Sequence, residues 1–269
     1  MPSLSTTVGK VLEICSRTDA SPNELNKVIS LDPVLTGHVL KLINSAYYSM
    51  VCKVTSLTRA ITMLGMNTVK NMALSTAIIQ TVAGSSHAKQ PLPTVQFWAH
   101  SIGVGVSAKL LAKASGIAVQ ELEEFFIAGL LHDLGKIPFG DDYRKVLMVA
   151  REQQRPLLEV EQQFFGIDHQ EVGDMIAAKW NLRGFLANCL SGHHSVELLA
   201  DEERVKMAIV ALANMYINIH DIGYAGDPFP AYRNAEKLLE LTRLDWPDLA
   251  AIGGVVDIEI QKAQIFLQV

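Results

Sequence analysis

The hexapeptide Leu131-His132-Asp133-Leu134-Gly135-Lys136 follows directly on the apolar run Phe125–Leu131. An imidazole and a carboxylate placed side by side in such a run are costly to bury unless each finds a partner. One divalent cation satisfies both. The imidazole offers a neutral nitrogen and the carboxylate an oxygen that balances charge. Further donors stand at His100, His169, His193 and His194. A fold that uses them together must bring distant parts of the chain to one point.

The composition favours helices for that task. Of the 269 residues 49% are hydrophobic, 19% charged and only 7% aromatic, so a sizeable core can form. The apolar share is mostly Leu, Ile, Val, Ala and Met, a mix richer in helix formers than in strand formers. A net charge of −5 argues against broad electrostatic binding of nucleic acid. Cys15, Cys52 and Cys189 are few, odd in number and widely spaced, which fits a reducing cytoplasm rather than a disulfide framework. The first residues lack the basic-then-apolar pattern of a signal peptide. No apolar stretch approaches the ~20 residues that span a bilayer. The expectation is a cytoplasmic, all-α protein without a membrane segment.

Local signals divide the chain. Ser21-Pro22-Asn23-Glu24 reads as a capping box with proline at the first helical position. Asp32-Pro33 repeats the logic for a helix over Val34–Ile43, with Val34, Leu35, Val39, Leu42 and Ile43 as its apolar stripe and Asn44-Ser45 as its end. A helix through Leu57, Ile61 and Leu64 stops at Gly65, and Asn67 is the expected N-cap of the next. The polar stretch Gly84–Pro93 reads as a connection. The expected division is therefore 1–90, an N-terminal helical bundle, and 91–269, a helical domain packed on it. In the second part helices are expected around His100, through His132 and Asp133, and over Leu157–Phe165, Val172–Trp180, Phe185–Leu190 and Lys206–Ile219. Gly223–Pro230 reads as a loop, and Val255–Val269 alternates weakly. Trp98 and Trp180 are expected to pack the core.

Two separated patterns carry a family resemblance. Gly129-Leu130-Leu131-His132-Asp133-Leu134-Gly135-Lys136-Ile137 resembles the signature of the HD superfamily of metal-dependent phosphohydrolases, with His100 where that superfamily has its first histidine. Asp32-Pro33-Val34-Leu35, Leu40, Asn44-Ser45-Ala46, Leu57, Ala60-Ile61 and Leu64-Gly65 resemble the HDOD subfamily. The resemblance implies an all-α fold and a role in bacterial signal transduction. HDOD domains are generally regarded as regulatory.

The resemblance also sorts the candidate residues. His100, His132 and Asp133 become metal ligands. Lys136, one helical turn from His132, becomes a point charge able to orient a substrate phosphate. His169 and the pair His193-His194 resemble extra histidines of the HD-GYP phosphodiesterases, which there allow a second metal. Of that pair, backbone geometry is expected to turn one ring inward. The sequence departs from those relatives where His194-Ser195-Val196-Glu197 replaces their Glu and Gly-Tyr-Pro motif. Asn214 stands where the superfamily places a metal-binding Asp. It keeps a carbonyl oxygen but loses the charge that anchors a hard cation. His38, His87 and His220 carry no catalytic expectation.

The expected function is a regulatory signalling module with one or two divalent ions (Mn, Fe, Zn or Mg). An unidentified signalling protein is its expected partner, and a phosphorylated small molecule or nucleotide its ligand. The alternative is an active metal-dependent phosphohydrolase acting on a phosphate ester, which Asn214 argues against. A third alternative is a scaffold with an empty site.

Overall fold

The computed structural model describes residues 4–15, 17, 19–84, 92–198, 201–227 and 235–268. Among them every regular element is helical and no strand occurs, as the composition led us to expect. The helices are α1 (Thr6–Cys15), α2 (Pro22–Ser30), α3 (Pro33–Ile43), α4 (Leu57–Leu64), α5 (Met66–Gly84), α6 (Thr94–Ala114), α7 (Leu122–Leu131), α8 (Tyr143–Gln153), α9 (Leu157–Phe165), α10 (His169–Lys179), α11 (Gly184–Gly192), α12 (Asp201–Ile219), α13 (Ala235–Thr242) and α14 (Trp246–Ala263).

The chain forms two compact units, Ser86–Asp257 and Pro2–Ser85 together with Ile258–Val269. A boundary at 90/91 therefore misplaces the C-terminal residues, which fold with the N-terminal ones. The reason is apolar burial: Phe266 is fully enclosed and its ring meets Tyr47 edge-on at 5.5 Å. Lys41 Nζ also donates to the Gln268 carbonyl at 2.6 Å.

In the discontinuous unit the caps form as read. Ser21 and Glu24 make a reciprocal capping box on α2, and Asp32 accepts from the Val34 and Leu35 amides at the start of α3. The stripe of α3 buries Leu35, Val39, Leu42 and Ile43, whereas Val34 faces outward. Asn44 ends α3 and ties down the loop beyond it. Its Oδ1 accepts from Val54 N at 2.7 Å, while Nδ2 donates to the Val54 and Leu40 carbonyls. Asn67 does not cap α5, because Gly65 at φ 84 already breaks the chain and the helix restarts at Met66. Most of the Gly84–Pro93 connection, with His87, lies outside the described residues, as do the last three residues of the Gly223–Pro230 loop.

In the contiguous unit α6 lies against α7 and α12, and α10 against α11. Trp98 and Trp180 are buried. Two sequence expectations shift. The helix carrying His132 ends there: His132 caps α7, and Asp133 precedes a 3-10 stretch, Leu134–Asp142, that accommodates Pro138. The helix expected from Val172 begins at His169, because Asp168 and Glu171 form a capping box that recruits the preceding turn. Val255 and its neighbours belong to α14.

Candidate metal centre

His100 comes from the second turn of α6, His132 and Asp133 from the end of α7, His169 from the first position of α10, and His193 and His194 from the end of α11. Two close approaches bring these ends together. A Cβ on Gly135 would stand 1.8 Å from the His169 carbonyl oxygen, and one on Gly173 would stand 2.1 Å from that of Leu190. Only glycine permits either contact, so backbone meets backbone and the three ligand-bearing segments converge.

Asp133 is the hub. Its Oδ2 lies 3.2 Å from His132 Nε2 and 3.9 Å from His100 Nε2, and its Oδ1 lies 3.4 Å from His193 Nε2 and 3.6 Å from His169 Nε2. His194 joins the second group, whose ligand atoms all lie within 4.8 Å of one another. His100, His132 and Asp133 form the first group on the same criterion, so the carboxylate belongs to both.

Both rings of the His193-His194 pair turn toward the cluster, where only one was expected to. Gln170 Oε1 accepts from the His194 amide at 3.0 Å, and Ser195 N closes a turn onto the Gly192 carbonyl at 2.9 Å. This turn puts consecutive side chains on one side.

The protonation pattern fits a cation. His132 Nδ1 contacts the Gly129 carbonyl at 2.7 Å, His193 Nδ1 the Cys189 carbonyl at 2.9 Å, and His169 Nδ1 the Glu161 carboxylate at 2.7 Å. A carbonyl or carboxylate oxygen only accepts, so each Nδ1 carries the proton. Burial pushes the His169 and His193 pKa values down, which leaves those rings neutral with an Nε2 lone pair facing the cluster. The two Nε2 atoms lie 3.4 Å apart. Burial also lowers the pKa of His194, and that of His100 to about 3. Burial opposes ionisation of Asp133 too, but His132 and Lys136 outweigh it and hold the carboxyl well below its ordinary range.

His100 Nε2, His132 Nε2, His194 Nε2 and Asp133 Oδ1 are enclosed and have no hydrogen-bond partner. Several enclosed acceptors without donors form an arrangement that a divalent ion completes. The donor set therefore fits the metal that the resemblance implies.

Lys136 is 1% exposed, and its Nζ lies 2.7 Å from Asp133 Oδ2. It is thus a counter-ion to the hub carboxylate. Asn214, on α12, is buried, and its Oδ1 accepts from Asn218 Nδ2 at 2.9 Å. A cavity of about 60 Å³ lies beside the cluster, with His193, His194 and Asn214 in its wall.

Two residues that orient the cluster were missed from sequence. Glu161 is fully buried, accepts from both His169 N and Nδ1, and receives the Tyr143 hydroxyl on its other oxygen. Carboxylate–histidine pairs of this kind fix the tautomer of a metal-binding ring. The signal was available, since Glu161 falls on the inward stripe of α9 with Leu157 and Val160.

Comparison with known proteins agrees with the all-α fold. The HDOD domain model matches residues 1–196. An HDOD domain protein of unknown function from Geobacter sulfurreducens superposes with a TM-score of 0.80 at 24% identity, covering 100% of this chain and 94% of that one. A candidate phosphohydrolase from Shewanella amazonensis gives 0.74 at 20% identity, covering 99% and 95%. A candidate signal transduction protein from Marinobacter aquaeolei gives 0.73 at 17%, covering 99% and 60%. An uncharacterized protein of Treponema pallidum (strain Nichols) is 25% identical over 225 residues, and the match spans 82% of this chain and 43% of that relative. No helix among the described residues is long and apolar enough to cross a membrane.

Proposed function

This chain belongs to the HDOD family, and from that membership we propose that it is a bacterial signalling module whose His/Asp cluster holds one or two divalent metal ions and couples their binding, or that of a phosphorylated ligand, to a protein partner. The observation that carries the metal half is the set of enclosed acceptors gathered around Asp133 without a donor. His100, His132 and Asp133 would hold one ion, and Asp133, His169, His193 and His194 another. A bound ion supplies Lewis acidity toward a phosphoryl oxygen and a charge that anchors an anion. Glu161 keeps the His169 ring turned inward, and Lys136 neutralises Asp133 until a cation takes its place.

The regulatory half is supported by Asn214. An amide at this position lowers the negative charge available to a hard cation, which suits binding better than sustained hydrolysis. Metal-dependent hydrolysis of a phosphate ester is the second reading, favoured by the sharing of Asp133 between two donor groups. There Lys136 would have to leave Asp133 to meet a phosphate.

Elemental analysis of protein purified without added metal or chelator tests the cluster, with His132→Ala/Asp133→Ala as control. Near-stoichiometric metal in the wild type alone is the expected result. No metal in either, even after manganese, iron or zinc is added, would sink the metal reading. Hydrogen exchange with and without metal then separates the functions. A metal-dependent change in exchange without phosphate-ester turnover fits the module, and turnover lost in the double variant fits the hydrolase.

A further inference from the structure

We propose that a pocket in the discontinuous unit, between the N-terminal ends of α1 and α3 and the C-terminal half of α5, seats a basic side chain of a protein partner, with Asp32 as its counter-ion. This gives a chemistry to the partner named above and rests on the signalling reading for that partner. It does not rest on the metal, because the pocket shares no residue with the His/Asp cluster.

The pocket measures about 210 Å³. That exceeds the ~150 Å³ cavity that takes up a benzene ring. It stays below the roughly 300–1,000 Å³ of sites for drug-sized molecules. One long side chain fits. Val8, Leu35 and Ala77 are buried in the aliphatic part of the wall, and Val34 joins them although it is 62% exposed. Leu31, next in the chain to Asp32, is 72% exposed. Two bulky aliphatic side chains left in solvent beside one pocket make an apolar rim. A peptide can cover that rim around the inserted side chain, and a free amine cannot.

The polar wall consists of Ser5, Asp32, Gln80 and Thr81, and Asp32 is its one charged side chain among the described residues. As the cap of α3, Asp32 takes the Val34 and Leu35 amides on Oδ1 at 3.1 and 2.9 Å. Both bonds fall on one oxygen, so Oδ2 is unspent. Gln80 Nε2 donates to His38 Nδ1 at 2.6 Å, which leaves the Gln80 carbonyl oxygen to accept. The Thr81 hydroxyl donates to the Ala77 carbonyl at 2.7 Å and keeps only lone pairs. The donors still available, the Ser5 hydroxyl and the second Nε2 hydrogen of Gln80, are neutral and do not offset the Asp32 charge. The wall therefore selects a cation over an anion. Lysine and arginine carry only donors at their heads, on an aliphatic stem that matches the rest of the pocket.

The probes are the blocked pentapeptide acetyl-Gly-Leu-Lys-Leu-Gly-amide and its counterparts with arginine or norleucine at the centre. Each is titrated into the full chain and followed by amide chemical shifts. The lysine and arginine peptides should shift the amides of Val34, Leu35 and Thr81. They should bind at least about tenfold more tightly than the norleucine peptide, the weight of one charge-assisted hydrogen bond. Asp32→Asn removes the charge and keeps a good helix cap, so α3 should start as before, which circular dichroism verifies. In that variant the preference for a basic peptide should vanish. Glu240→Gln, exposed on α13, should leave it unchanged. Equal binding of basic and norleucine peptides, no binding of either, or a preference that survives Asp32→Asn would each overturn the proposal. So would n-butylammonium binding as tightly as the lysine peptide, which assigns the pocket to a free amine. A wild-type dimer that Asp32→Asn splits, seen by sedimentation, would assign it to a second copy and likewise overturn it. Metal content is measured on the same samples. Absence of metal alongside an Asp32-dependent preference would overturn the metal reading and leave this one standing.

Discussion

The Glu161 carboxylate accepts two hydrogen bonds from one residue, His169: from its amide at 3.0 Å and from its ring Nδ1 at 2.7 Å. A single oxygen, Oε2, receives both, so the ring and the first turn of α10 are held together. Burial raises the Glu161 pKa, and the Tyr143 hydroxyl, the His169 amide and Lys136 act against that rise. Glu161→Ala should lower metal affinity about 10–100-fold, as loss of such an orienting partner does. Glu161→Gln keeps an acceptor and should cost less. Competition titration with a chromogenic chelator measures both, and equal affinity in wild type and Glu161→Ala would refute the orienting role.

The shared hub makes a prediction about stoichiometry. Asp133→Asn should lose metal from both donor groups, His100→Ala from the first alone and His193→Ala from the second alone. If the protein binds two ions, mass spectrometry under native conditions should report losses of two, one and one. A single ion lost equally in all three variants would replace two sites with one.

Acid should destabilise the metal-free protein. An unfolded histidine takes up a proton near pH 6.5. Burial lowers the folded pKa of His100 to about 3 and also lowers those of His169, His193 and His194. The unfolded state therefore binds more protons below pH 6.5, and stability is lost as pH falls from about 6.5 toward the folded values. Asp133, held well below its ordinary pKa, adds a loss in the same direction at lower pH. Glu161 works the other way, because its raised pKa favours the folded state once it protonates. The urea midpoint of chelator-treated protein should thus be level above pH 7 and decline toward pH 5. A midpoint unchanged over that range would mean the rings are not held neutral.

Asn214→Asp should raise metal affinity, because it adds a carboxylate to a wall that includes His193 and His194 of the cluster. Competition titration with a chromogenic chelator reads it, and an affinity equal to that of the wild type would contradict a part for this position in the cluster.

Phe266→Ala should destabilise the discontinuous unit by about 3–5 kcal/mol, the usual cost of emptying a buried phenylalanine site. Hydrogen exchange resolved by peptide should place the loss in α3–α5 and leave α6–α12 protected. Equal loss in both units would mean they unfold together.

The helical fold was legible because its punctuation is local. Ser21, Asp32, Asn44 and Gly65 each act on the turn beside them, and each does so in the structure. His132 and Asp133 were legible because polar residues beside an apolar run demand a reason. What escaped depends on contacts far apart in sequence. Glu161 reads as an ordinary helical acid until α9 is seen to turn it onto His169. Lys136 reads as a substrate contact until its ammonium is found on Asp133, within one 3-10 turn. Only one ring of the His193-His194 pair was expected to turn inward, and Gln170, from another helix, holds the His194 amide.

Phe266 packs with residues made early in synthesis, whereas Ser86–Asp257 is continuous in sequence. On a ribosome the usual order places the N-terminal unit first. Here the middle of the chain holds all of its own partners before the beginning does. The residues that precede it gain the Phe266 contact only after Ile258–Val269 emerge, so the unit that carries the His/Asp cluster is complete in sequence before the capped bundle is.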